Sequence, residues 1–215
     1  RSSDLGEHQI TAIFTTSYRP WLLVFMPALG ALAAGWVSRY ATETRGGGGD
    51  AAIHAFHDDG GRIRKRVIFI KPIASWLTLG TGGAGGREGP TMQIGGALGS
   101  LVGQWLHVSA VERKTLLAAG AAAGMAATFG SPVSAVLLAV ELLLFEYRPR
   151  SLIPVAMAAT TATGVRLAFE GAHPAFAMPD LTQPGGTALA AYVLIGAFAG
   201  LVSVGVSRSV YVIED

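Results

Sequence analysis

Charged residues are absent from three long stretches of the chain, residues 20–38, 115–140 and 181–207. A helix crossing roughly 30 Å of hydrocarbon needs about 20 apolar residues, and an ionised side chain at its centre costs about 2.5–3.5 kcal/mol. A surface helix in water keeps a polar face, which these stretches lack. The pattern predicts helices embedded in a membrane rather than the buried helices of a large soluble core. A first helix is expected over 20–40, then the polar turn ATETRGGGGD, whose Asp50 suits the N-cap of a short helix over 51–57. The basic segment DDGGRIRKR leads to an apolar helix over 67–78, another over 90–105 and a surface link over 108–113. Helices over 114–128 and 132–145 are split by Gly130-Ser131-Pro132, and further helices are expected over 152–169 and 188–212. Residues 170–186 form a loop with three prolines.

The interruptions follow a pattern of their own. Between residues 67 and 105 the only charges are Lys71, Arg87 and Glu88, while glycines stand at 80, 82, 83, 85, 86, 89, 95, 96, 99 and 103. Broken helices at membrane depth expose backbone groups that lipid cannot satisfy, so they belong where protein or water surrounds them. Transporters use such breaks to aim half-helix N-termini at ions. The series Gly95/Gly99/Gly103 and Gly120/Gly124 recur every four residues, so each lines one helix face and permits close packing. We assign these series to packing and not to binding.

Composition narrows the field further. Hydrophobic residues make up 51% of the 215 and charged residues 14%, against about 25% in soluble domains, which excludes disorder. With no cysteine there is no disulfide scaffold, thiolate zinc site or cysteine nucleophile, and a net charge of +2 does not suggest nucleic-acid binding. Gly80, Gly82 and Gly85 have dinucleotide-fingerprint spacing without the strand or acidic partner that reading needs. His54, His57 and Asp58 have helical spacing for a metal edge but no clear further ligands, so a solvated face is expected. No constellation supports an enzyme.

The informative chemistry lies in LGTGGAGGREGPTMQIGGALGS, residues 79–100. Pro90 is placed to open a helix, and the glycines before it let a bound species approach the backbone. Free amides and the positive end of a helix dipole then make a seat for an anion. Glu88 at that position is a competing anion, able to block the seat when ionised and to vacate it when protonated. The bland alternative is an Arg87–Glu88 surface pair of little energetic consequence.

GREGP followed by QIGG resembles the signature of the CLC chloride channel and transporter family. The resemblance continues through AAGAAAGMAATFGSPVSAVLLAVE, residues 118–141, and RGGGGDAAIHAFHD falls where that family's first anion-binding motif, Gly-Ser-Gly-Ile-Pro, is expected. It implies an all-α membrane protein of tilted, discontinuous helices, one half of the CLC inverted-repeat fold. Residues 1–19 would be a polar lead-in, 20–180 the first repeat, and 181–215 the first helix of the second. It further implies Glu88 as the gate. Gly46, Gly47, Gly48, Gly49, Gly86, Arg87, Gly89 and Pro90 would form the anion site, with chloride or a similar anion as cargo. No cofactor or metal is implied. A homodimer in the lipid bilayer of the cell membrane, plasma or inner, is.

Two departures from the family pattern bear on mechanism. Gly47 stands where the family's coordinating serine is expected, so one hydroxyl contact is lost. Such a bond is worth about 0.5–1.5 kcal/mol, enough to change preference among anions. The inner proton glutamate of the family's exchangers, second of a Glu-Glu pair, corresponds to Leu142 in the pair Glu141-Leu142. One residue along a helix turns a side chain by about 100°, so Glu141 does not simply substitute. The expectation is a channel of the voltage-gated chloride type passing chloride passively. The alternatives are a chloride/proton antiporter and a non-conducting structural unit, since the family's second-half Gly-x-Phe-x-Pro motif and pore tyrosine are not in this sequence.

Overall fold

The computed structural model describes residues 20–83, 85–171 and 185–214, and the chain divides between residues 175 and 176 into two units. The first unit begins with α1 (Pro20–Val37), which tightens into 3₁₀ turns at Ser38–Tyr40 and Thr42–Thr44. Then come α2 (Gly49–His57), α3 (Arg66–Gly80), α4 (Glu88–Trp105) and α5 (Ala110–Phe129). A break at Gly130 separates α5 from α6 (Pro132–Ala139), a π turn Val140–Leu144 follows, and α7 is Pro149–Glu170. The second unit holds α8 (Gly186–Glu214). Among the described residues there is no strand.

Three boundaries differ from the sequence expectation for identifiable reasons. Asp50 is not the cap of α2: Gly48 holds that position at φ +98°, a left-handed conformation that glycine adopts without strain. Helix α4 starts two residues before Pro90, so Glu88 lies inside its first turn. Helix α5 starts at Ala110 because Ser109 and Glu112 form a reciprocal capping box, the Ser109 hydroxyl accepting from the Glu112 amide and Glu112 from the Ser109 amide. The expected proline-rich loop over 170–186 lies mostly outside the described residues.

Helix α5 is the hub, packed chiefly on α4 and α7. Its contact with α4 is made by backbone. A Cβ on Gly95 would collide with the Gly120 carbonyl, one on Gly99 with that of Leu116, and one on Gly124 with that of Thr91. The four-residue glycine series therefore serve packing, as the sequence suggested. Helix α1 comes close to the end of α3 at Gly30, where a Cβ would collide with the Thr81 hydroxyl and stand 2.8 Å from the Leu77 carbonyl oxygen.

Size is distributed inside out. More than half of the buried cluster is alanine (among them Ala118, Ala121, Ala122, Ala126, Ala139 and Ala159), beside larger members such as Phe56, Met92, Leu117 and Leu143. The exposed surface carries Phe69, Trp76, Trp105, Met157 and Phe169, the last 87% exposed. In water, so much large apolar surface would drive association; in lipid it is the ordinary exterior of a helical protein. Residues of Pro149–Glu170 and Gly186–Ser209 are long and apolar enough to cross a membrane, with mean hydropathies of 1.4 and 2.2. The uncharged window over 115–140 is not a single span, because Gly130, at φ +67°, ends α5 within it.

The irregular segments are tied to α4 by a polar stripe. Gln93 Nε2 donates to the Glu43 carbonyl at 2.6 Å. Fully buried Ser100 accepts from the Ile63 amide at 3.0 Å and donates to the Gly61 carbonyl at 2.6 Å. Gln104 Nε2 donates to the Ile63 carbonyl at 3.0 Å. These three residues hold the turn before α2 and the loop before α3 against one face of α4, which fixes where α2 begins.

Candidate functional site

The two glycine segments singled out in the sequence meet. Glycine at 89 is obligatory for the meeting, since a Cβ there would run into the Gly47 carbonyl and lie 3.4 Å from the Gly49 nitrogen. Reciprocally, a Cβ on Gly48 would stand 2.8 Å from the Gly89 oxygen and 2.9 Å from Gln93 Oε1. The N-terminus of α2 thus abuts the first turn of α4. A cavity of about 830 Å³ opens beside them; Thr44, Gly46, Gly47, Gly85, Gly86 and Pro90 are among its lining, with residues of α1 and α3.

Backbone accounting shows what this junction offers. Among the described residues, the amides of Gly46, Gly47, Gly48, Gly86 and Arg87 find no hydrogen-bond acceptor. Amides left over at helix starts attract negative charge, and the helix dipoles add to the field. The chemistry available here is the holding of a small anion by N–H groups.

The predicted residues take different places around it. Gly46, Gly47, Gly86 and Pro90 line the cavity, while Gly48 caps α2 and Gly49 is its first residue. Glu88 is exposed at the first position of α4, and its carboxylate folds back over Gly86, where an added Cβ would lie 3.1 Å from the Glu88 Cδ. That turn is braced: Thr91 Oγ1 lies 2.9 Å from the Arg87 carbonyl and 3.0 Å from that of Glu88, and receives the Thr128 hydroxyl at 3.0 Å. Arg87 is exposed outside the cavity lining and contributes its backbone as the cap of α4. No Arg87–Glu88 ion pair forms among the described residues. Ser131 caps α6 and its hydroxyl donates to Ser134 at 2.9 Å.

Two residues here have roles that local sequence does not reveal. Lys71 is a rare charge in an apolar helix, and its ammonium reaches the loop that precedes α2. Gln93 is 1% exposed and its Oε1 has no partner among the described residues. A lysine or glutamine alone in an apolar stretch was the available signal for both. At the far end of the unit, Leu142 packs against the apolar cluster whereas Glu141 is exposed, so the two side chains of that pair do face apart. His54 is exposed with Asp58 and Asp59 each 3.5 Å away, a solvated helix end.

Interrupted helices in an apolar exterior, with two helix starts meeting beside a cavity, define a class: a helical membrane protein of the broken-helix type. Comparison with known proteins makes this specific, since the family described as voltage gated chloride channel, CLC, matches residues 29–215. The chain belongs to that family. The chloride channel protein CLC-e of Arabidopsis thaliana is 32% identical over 199 residues, covering 87% of this chain and 27% of that protein. The H(+)/Cl(-) exchange transporter ClcA of Vibrio campbellii is 33% identical over 201 residues, covering 91% and 43%. A crystal structure of a slow cyanobacterial Cl-/H+ antiporter superposes with a TM-score of 0.72 at 24% identity, over 93% of this chain and 47% of the other. The fold is therefore that of a CLC half, and the chain spans less than half the length of these relatives.

Proposed function

We propose that the protein moves chloride across a membrane, holding it at the junction of α2 and α4 and admitting it past Glu88. The observation that carries this reading is the convergence of two glycine-rich helix starts, with unpartnered amides, on one cavity. Glu88 acts as a lid: ionised, it competes for the amides, and protonated, it leaves them to the anion. Within this reading we favour passive conduction, because Leu142 offers no proton-binding group where the family's exchangers carry one. The names of the Vibrio and cyanobacterial relatives favour the second reading, proton-coupled exchange. Following the family resemblance, the working unit is a homodimer in the cell membrane.

The full protein reconstituted in liposomes tests this. Chloride efflux is expected, and Glu88→Gln should alter its rate by removing the negative charge that competes with the ion for the amides. Efflux indifferent to the substitution would refute the gate, and no efflux at all would leave the chain a structural unit. Uphill proton movement driven by a chloride gradient would decide for exchange over conduction.

A further inference from the structure

The loop between α2 and α3 carries a run of cations, Arg62, Arg64, Lys65 and Arg66. Its backbone is fastened to two other helices. The Gly60 carbonyl accepts from Nε and Nη2 of Arg113 in α5 at 3.0 and 2.8 Å, while Ser100 and Gln104 of α4 hold Gly61 and Ile63. Ile63 is buried, and all four cations are exposed. Arg64 is committed to Glu43 at 3.1 Å, and the acids of the same loop, Asp58 and Asp59, each lie 3.5 Å from His54. Among the described residues Arg62, Lys65 and Arg66 form no ion pair.

Helix α3 decides where these cations stand. At about 100° per residue, Lys65, Arg66, Phe69, Ile73 and Trp76 share an arc of about 100°, while the buried Val67, Lys71 and Ala74 lie on the other side. Phe69, Ile73 and Trp76 are exposed, so this arc is the outer, apolar face of the helix. At its first turn that face runs directly into Lys65 and Arg66. The helix has 15 residues, a rise of roughly 22 Å against about 30 Å of hydrocarbon. A short span draws headgroups toward its ends, and long cationic side chains reach out to meet them.

We propose that Lys65 and Arg66, with Arg62 beside them, hold the phosphate of an anionic phospholipid whose acyl chains lie along the face of Phe69, Ile73 and Trp76. Orienting a helix in a membrane asks only for positive charge on one side. It does not ask that the loop bearing the charge be tied to α4 and α5. A tied loop keeps its cations at one height and spacing, which lowers the ordering cost of gathering them on a single phosphate. A zwitterionic headgroup brings its own cation and gains less from the cluster. The inference is independent of reading the cavity as a chloride seat.

Native mass spectrometry of the purified full protein, titrated in detergent with phosphatidylglycerol or with phosphatidylcholine of the same chains, reads the preference. The wild type should bind phosphatidylglycerol about tenfold or more tighter, since each cation at an anionic headgroup contributes about fivefold. The double variant Lys65→Gln/Arg66→Gln should lose most of that preference, and the charge-keeping swap Lys65→Arg/Arg66→Lys should retain it. Arg148→Gln/Arg150→Gln removes the same charge at the start of α7 and should also retain it. Equal binding of the two lipids by the wild type overturns the inference, as does a preference that survives Lys65→Gln/Arg66→Gln. An equal loss in the α7 variant overturns it too, because net charge and not this face then selects the lipid. If the neutral α3 variant unfolds by circular dichroism where the swap does not, the cations serve the fold and the inference fails.

Discussion

Replacing Gly120 with leucine should force α4 and α5 apart and lower the stability of the protein by about 3 kcal/mol, at the upper end of what overpacking costs. A Cβ at this position meets the Gly95 carbonyl carbon at 2.9 Å and the Gly99 nitrogen at 3.1 Å, and the mirror-image collision awaits a Cβ on Gly95. Backbone has no alternative rotamer, so relief requires moving a helix. Moving α5 disturbs α7 and α6, which pack on it. Thermal melting in detergent micelles, followed by circular dichroism, reads the effect. Gly164→Ala is the control: it also lies in a helix, but nothing stands within 4 Å of its added Cβ. There the better helix propensity of alanine, about 1 kcal/mol at most, should leave stability unchanged or raised. Equal melting of Gly120→Leu and wild type would show that the glycine contact does not set the helix spacing.

Gly89→Val should abolish chloride binding, with a loss of more than about a hundredfold, or roughly 3 kcal/mol, while helix content is largely kept. The added side chain would occupy the place of the Gly47 carbonyl, pushing the start of α2 away from the first turn of α4. The affected atoms lie where the starts of α2 and α4 meet, and none of Gly47, Gly49 and Gly89 belongs to the buried cluster, so the damage falls on the convergence of amides more than on that cluster. Calorimetric titration of chloride provides the readout. Binding of wild-type strength in this variant would mean that the two glycine segments need not touch for the ion to be held.

Much of this was accessible from the chain alone, because membrane helices announce themselves by the absence of charge and their breaks by glycine and proline. The division at Gly130-Ser131-Pro132 and the service of the two glycine series in close packing follow from short-range rules, whereas the helix start at Glu88 lies two residues ahead of the Pro90 that local chemistry favours. What escaped depended on partners distant in sequence. Asp50 is a good cap by local chemistry, yet Gly48 takes the position because Gly89 and Gln93 leave no room for a Cβ there. The role of Gln93 is set by Glu43, fifty residues earlier, and that of Lys71 by a loop 25 residues away. The π turn at Val140–Leu144 carries no periodic signature, since it is a single widened turn in an apolar run.

The inside-out distribution of side-chain size has a thermal consequence. Large apolar groups touch lipid or detergent tails both before and after the helices separate, so little hydrocarbon becomes newly wetted when they part. Water-ordering contributes little to cohesion, which instead resides in dispersion between closely apposed main chains. Separation of these helices within a micelle should accordingly be accompanied by a small change in heat capacity, and chilling should not loosen the bundle as it loosens globules held by burial from water.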